Sequence, residues 1–219
     1  MPRSGAVMLV SAVLSLSAVL LAAMASTAGA FERHVPAEPG ALTNAIAEAS
    51  PGDVLILAPG RHNGPVVLDR SVTLDGAGKA MLYGNGTGSV VSVTGEKITV
   101  RGLEIRGSGN NHQKIDSGVK LTRKAVGALI EDNRILGNLY GVDVHGARDT
   151  VVRNNVIVGR RDSRMNDRCN GVYDWKSPGT LIESNYIRYG RDGIYVNTSK
   201  RGTYRSNQYR DMRNEGQYM

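Results

Sequence analysis

Cysteine, phenylalanine and tryptophan each occur only once in this 219-residue chain. The single Cys169 cannot close an internal disulfide, so stability has to come from packing and backbone hydrogen bonds. Beyond residue 30 no apolar run is long enough to cross a bilayer. No CxxC or HxxxH spacing is present, which excludes the fixed-spacing metal motifs. What the chain does have is glycine, valine, isoleucine and asparagine, the composition of many short strands joined by tight turns.

The first thirty residues read as an export signal. Ala6 to Met24 is almost wholly apolar or small, and Ala28-Gly29-Ala30 supplies an A-x-A cleavage pattern, so the mature, exported chain would start at Phe31. The competing reading is an uncleaved anchor, since the run approaches the minimum bilayer span. The remainder suits one domain. Its formal charge is +6 once Arg3 is removed from the total of +7, so an exported form would meet anionic partners. Acidic polysaccharide, lipid head groups or an acidic protein face qualify; nucleic acid does not, outside the cytoplasm.

Two independent markers repeat with one period. Asn133, Asn155, Asn185 and Asn207 are spaced 22, 30 and 22 residues apart. Gly118, Gly141, Gly171, Gly193 and Gly216 are spaced 23, 30, 22 and 23. Each unit carries short strands with period-two alternation and β-branched rather than leucine-rich apolar positions. That pattern predicts an all-β, right-handed, single-stranded parallel β-helix, one turn per unit. The asparagines are expected to form a structural ladder, tolerating left-handed corners and bonding the same amide one turn away. Leu42, Ala45, Ile46 and Ala49 predict a short helix that plugs the open core, followed by a buried strand in "VLILAPG". The expected organisation is a cap helix and first turn over residues 31–60, then turns over 61–219. No matching plug closes the other end, so the chain reads as a fragment of a longer solenoid.

The glycine register sorts the side chains of the next strand into columns. Val119, Leu121, Val142, Val144, Ile194 and Val196 are expected to face inward. One outward column reads Lys120, Asp143, Tyr173, Tyr195, Tyr218, and its neighbour reads Thr122, His145, Trp175, Asn197. This mixture of cation, carboxylate, imidazole, rings and amide predicts a ligand groove. By the same register Asp174 points inward, where an unpartnered carboxylate is costly. Two long segments, "RGSGNNHQKIDSG" and "VGRRDSRMNDRCNG", leave the solenoid at one corner and should stand beside the groove. They carry His112, Asp116, Met165, Asp167 and Cys169. With His145 these supply soft and borderline donors suited to copper, making His112, His145 and Met165, and more weakly Cys169, the candidate metal ligands. No second outward carboxylate stands beside Asp143, so glycoside hydrolysis, which needs a nearby pair, is not supported.

"RMNDRCNGVYDWKSPG", "IRYGRDGIYVNTSK" and "YRDMRNEGQYM" resemble the NosD family, the periplasmic β-helix proteins of nitrous oxide reductase maturation. The resemblance implies an exported, non-enzymatic factor that works with ABC transporter subunits, a copper chaperone lipoprotein and apo nitrous oxide reductase. Three positions depart from the family pattern: Cys169 stands where glycine is usual, Asp174 where an apolar residue is usual, and "NEGQYM" where an apolar stretch is usual. The alternative is a β-helix that binds or modifies acidic polysaccharide through the Tyr/Trp/Asp/His face.

Overall fold

The computed structural model describes residues 30–161 and 169–219. The segment read as an export signal therefore lies outside the described residues, apart from Ala30, and so does Met165. No described helix is long and apolar enough to cross a membrane.

Among the described residues every strand pairing is parallel, and each strand away from the ends pairs with the strands one turn before and after it. The chain winds into a three-walled rod. A seven-stranded sheet forms one wall. The other two walls share a 13-stranded sheet, because Thr73–Tyr83 and Thr99–Arg106 run through the corner between them unbroken. Later turns break there into pairs such as Leu129–Glu131 and Arg134–Leu136. At each break one residue takes a left-handed φ: Asp132, Asn154, Ser184 and Ser206. These sit just before the ladder asparagines, so the left-handed corner falls one position earlier than the sequence suggested.

Alternation puts one aliphatic column inside each wall. Leu74, Val100, Ile130, Val152 and Ile182 stack in register on the first. Leu82, Ile105, Ile135, Ile157 and Ile187 stack on the second. All are buried, each contributing about 1.5–3 kcal/mol over exposure. Both columns end on tyrosine in the last turn, Tyr204 and Tyr209. On the outside of the first wall the column Asp75, Arg101, Glu131, Arg153, Glu183, Arg205 alternates in sign. Its ion pairs measure 2.8 Å for Arg101–Asp75, 2.7 Å for Arg153–Glu131 and 2.8 Å for Arg205–Glu183.

Helix α1, Ala41–Glu48, covers one end of the core with Leu42 and Ala45. Arg70 donates to the carbonyls of Ala47 (3.3 Å) and Ala49 (3.0 Å), occupying acceptors that the helix terminus leaves open. The expected first buried strand is Val54–Leu57, here β2. Another strand precedes it: β1, Glu32–Val35, lies before the helix and pairs with β2 in register Glu32↔Val54. Its short pattern carried no signal of that partner.

Candidate functional site

The seven-stranded wall carries the candidate site, and its register follows the glycines. Lys120, Asp143, Tyr173, Tyr195 and Tyr218 align in one column. His145, Trp175 and Asn197 align in the next.

Asp143, although on the outer side of the wall, is completely buried. Its carboxylate lies 3.2 Å from Lys120 Nζ and 3.6 Å from His145 Nδ1, yet neither oxygen has a hydrogen bond of good geometry. Lys120 Nζ donates instead to the Lys114 carbonyl at 2.6 Å, which ties the first long segment to the wall. A carboxylate so enclosed is a charge partner for Lys120 rather than a contact for ligand.

The rings are also arranged differently from an open groove. Tyr173, Tyr195 and Tyr218 stack face to face, with centroids 5.5 and 5.0 Å apart and planes within 11° and 6°. Their faces therefore cover one another and their edges face outward. The His145 ring lies 4.3 Å from the Trp175 ring, and Lys176 Nζ lies 4.3 Å from the same ring. Burial raises the Tyr173 hydroxyl pKa, with the Asp143 charge adding to it.

The two long segments meet. Arg160 donates to the Gly109 carbonyl (3.2 Å), the Gly137 carbonyl (3.2 Å) and the Asn110 side chain. Cys169 Sγ lies 3.2 Å from His112 Nδ1 and interacts with the Tyr140 hydroxyl, whose pKa is raised first by burial and then by Cys169. Tyr140 and His145 stand at opposite ends of one strand, ~16 Å apart at 3.3 Å per residue. The structure thus brings His112 and Cys169 together and leaves His145 away from them. The set His112, His145 and Cys169 does not converge. Among the described residues no group of three or more His, Cys, Asp or Glu could hold a metal ion.

Asp174 points inward and the register does not slip: Val144, Asp174 and Val196 stack. Its carboxylate accepts from Ser199 Oγ at 2.9 Å and Tyr204 Oη at 2.6 Å. Burial raises its pKa, and hydrogen bonds from Tyr204, Ser199 and Ser177 oppose that rise. Tyr204, which ends an aliphatic column, supplies the donor that a buried carboxylate requires. This pairing was not legible in the sequence, because the two residues are 30 positions apart.

The asparagines form a hydrogen-bonded ladder. Oδ1 of Asn155 accepts from the backbone N–H (3.0 Å) and side-chain amide (3.1 Å) of Asn133. Asn155 makes the same pair of bonds to Asn185, and Asn185 to Asn207. Asn138 repeats the pattern at a second corner, accepting from Ser108 N–H and donating to the Ile105 carbonyl. Among the described residues one such asparagine is present there, so no period exposed it.

Residues 82–219 match the family described as the right handed beta helix region, more than half of the chain, and the chain belongs to that family. Within this class its curated relatives are NosD proteins. It is 34% identical over 137 residues to the protein of Pseudomonas aeruginosa named as an ABC transporter binding protein, NosD, covering 63% of this chain and 32% of that protein. It is 30% identical over 137 residues to the protein of that name from Stutzerimonas stutzeri, covering 63% and 31%. The matched segment thus spans about a third of the length of these relatives. Among solved structures it is similar to an alginate lyase from Paenibacillus sp. str. FPU-7, with TM-score 0.61, 19% identity and coverage of 80% of this chain and 75% of that one. At that identity the likeness is one of fold.

Proposed function

We propose that this chain acts as an exported accessory factor of the NosD type. In this reading it works in the periplasm beside an ABC transporter and a copper chaperone lipoprotein while the copper centre of apo nitrous oxide reductase is built. Copper is cargo passed between partners, and the rod is a docking element. The observation that carries the reading is the 34% identity to a NosD protein across 137 residues. The geometry is compatible with docking, since Arg160 fastens two projecting segments to a rigid parallel-stranded scaffold.

The test uses purified transporter subunits and chaperone from the same organism, with association to the tagged chain read by interferometry. Saturable binding at micromolar concentration or below is expected, as for other specific protein interfaces. Arg160→Ala, which removes the arginine's hydrogen bonds to Gly109, Asn110 and Gly137, should weaken it at least ~5-fold through lost preorganisation. Absence of binding to every one of these partners at tens of micromolar would overturn the reading.

A further inference from the structure

Thr94, Thr122 and His145 occupy one outward column of the candidate wall in three successive turns, because Val93, Leu121 and Val144 before them are paired in register. Lys120 stands in the neighbouring column, at the end of the strand Ser117–Leu121. Arg123 and Lys124 follow Thr122 where the chain leaves the wall. These six residues line a cleft of about 520 Å³. The His145 ring, held 4.3 Å from the Trp175 ring, closes it towards the next turn.

Two opposite kinds of group line this cleft. Arg123 and Lys124 are exposed, and among the described residues neither belongs to an ion pair. Lys120 Nζ donates to the Lys114 carbonyl at 2.6 Å and lies 3.2 Å from the buried Asp143 carboxylate, and an ammonium has a third proton to give. These three cations outweigh the one carboxylate behind them. The threonines differ. Thr94 Oγ1 donates to the Leu68 carbonyl and Thr122 Oγ1 to the Val93 carbonyl, each at 3.2 Å. A carbonyl can only accept, so both hydroxyls have spent their proton and offer lone pairs alone. The segment 120–124 thus combines three cationic donors with one obligate acceptor, Thr122.

We propose that this cleft binds inorganic phosphate. The charged oxygens go to Arg123, Lys124 and Lys120, and the P–OH proton goes to Thr122 Oγ1. Both ionic forms of phosphate present near neutral pH keep a P–OH. Sulfate has the same tetrahedral shape but no proton there, so it would set an anionic oxygen against the threonine lone pairs. A site that pairs with a ligand hydroxyl rejects an analogue lacking it. A phosphomonoester, with its second pKa near 6, is likewise mostly a bare dianion at pH 7.5. The cleft leaves room for the anion with several waters of about 30 Å³ each, so binding is weak and screened by salt. This inference is independent of the transporter-docking reading.

The experiment is calorimetric titration of the chain with sodium phosphate, sodium sulfate and glycerol 3-phosphate at pH 7.5, in a low-salt buffer free of other oxyanions. Phosphate should half-saturate the chain at or below ~1 mM, and bind at least ~10-fold tighter than sulfate or glycerol 3-phosphate. Arg123→Gln/Lys124→Gln should lower phosphate affinity at least ~10-fold. Lys79→Gln/Lys200→Gln removes the same charge from exposed positions elsewhere and should change it less than ~2-fold. Thr122→Val should lower the preference for phosphate over sulfate at least ~5-fold, and Thr122→Ser, which restores the hydroxyl, should keep it. Circular dichroism checks that each variant is folded. Equal affinity for phosphate and sulfate would overturn the inference. So would equal losses in the two charge variants, an undiminished preference in Thr122→Val, or no saturable phosphate binding at ~10 mM.

Discussion

Asp174 shows how a single side chain can be retained against the chemistry of its surroundings. It replaces an aliphatic neighbour in the column Val144, Asp174, Val196, and hydroxyls of Tyr204 and Ser199 satisfy its oxygens. Its folded pKa is raised, chiefly by burial, above the unfolded value near 3.9. A raised pKa means that its stabilising contribution is complete below the unfolded pKa and is lost as pH rises through the folded one. The difference in urea midpoint between the native protein and Asp174→Asn should therefore favour the native protein most near pH 4 and shrink towards pH 8. A difference that grew with pH would show that the carboxylate is stabilised, not strained, by this site. The asparagine ladder works by satisfied bonds alone. Asn155→Ala leaves the Asn133 N–H and the Ile130 carbonyl unpaired in the core, and should cost ~2–4 kcal/mol by urea denaturation. Asn207→Ala, half-exposed in the last turn, should cost less than half as much.

At the scale of the element, the glycine marker has a steric cause. A Cβ at Gly141 would lie 2.3 Å from the Gly171 carbonyl, and one at Gly193 would lie 2.3 Å from the Gly216 carbonyl. Successive turns approach too closely there for any side chain, and the neighbouring backbone cannot give way. Gly141→Ala should cost ~2–4 kcal/mol by overpacking. Gly137 makes the contrast: its φ is +67° with open space around it, so Gly137→Ala should cost only ~1 kcal/mol for left-handed strain. Equal costs at both positions, measured by urea denaturation, would discard the close-approach account. The same contact explains why turn period and column membership were legible in the sequence: a close approach to the next turn's backbone recurs at Gly118, Gly141, Gly171 and Gly193. Burial within a column was not legible. Alternation places Asp143 outside the wall, but only the position of Lys120 and the neighbouring rings shows that it is enclosed. Nor could alternation tell that the tyrosines would spend their faces on one another, or that His145 sits a strand's length from His112.

For the whole molecule, the decisive property is that the strands of each turn pair only with those of the turns beside it. Stability in such a rod is close to a sum of single-turn terms and neighbour interfaces, so it should fall towards any end that lacks a second neighbour. Helix α1 and β1 cover the first turns, whereas among the described residues the strands Thr203–Arg205, Gln208–Arg210 and Gln217–Tyr218 each pair on one side. The aliphatic columns change there as well, to half-exposed Tyr204 and Tyr209. Amides in residues 203–218 should therefore exchange with solvent at least ~10-fold faster than those in 129–158, where every strand is sandwiched between two others. Native-state hydrogen exchange resolved by mass spectrometry gives both rates in one experiment. Uniform protection along the rod, at a concentration where the protein is monomeric by light scattering, would mean that it opens as one cooperative unit and that nearest-neighbour addition fails. Protection of residues 203–218 that appeared only on raising the protein concentration would instead place a second copy on that edge, the response expected of unpaired strand edges left open to solvent.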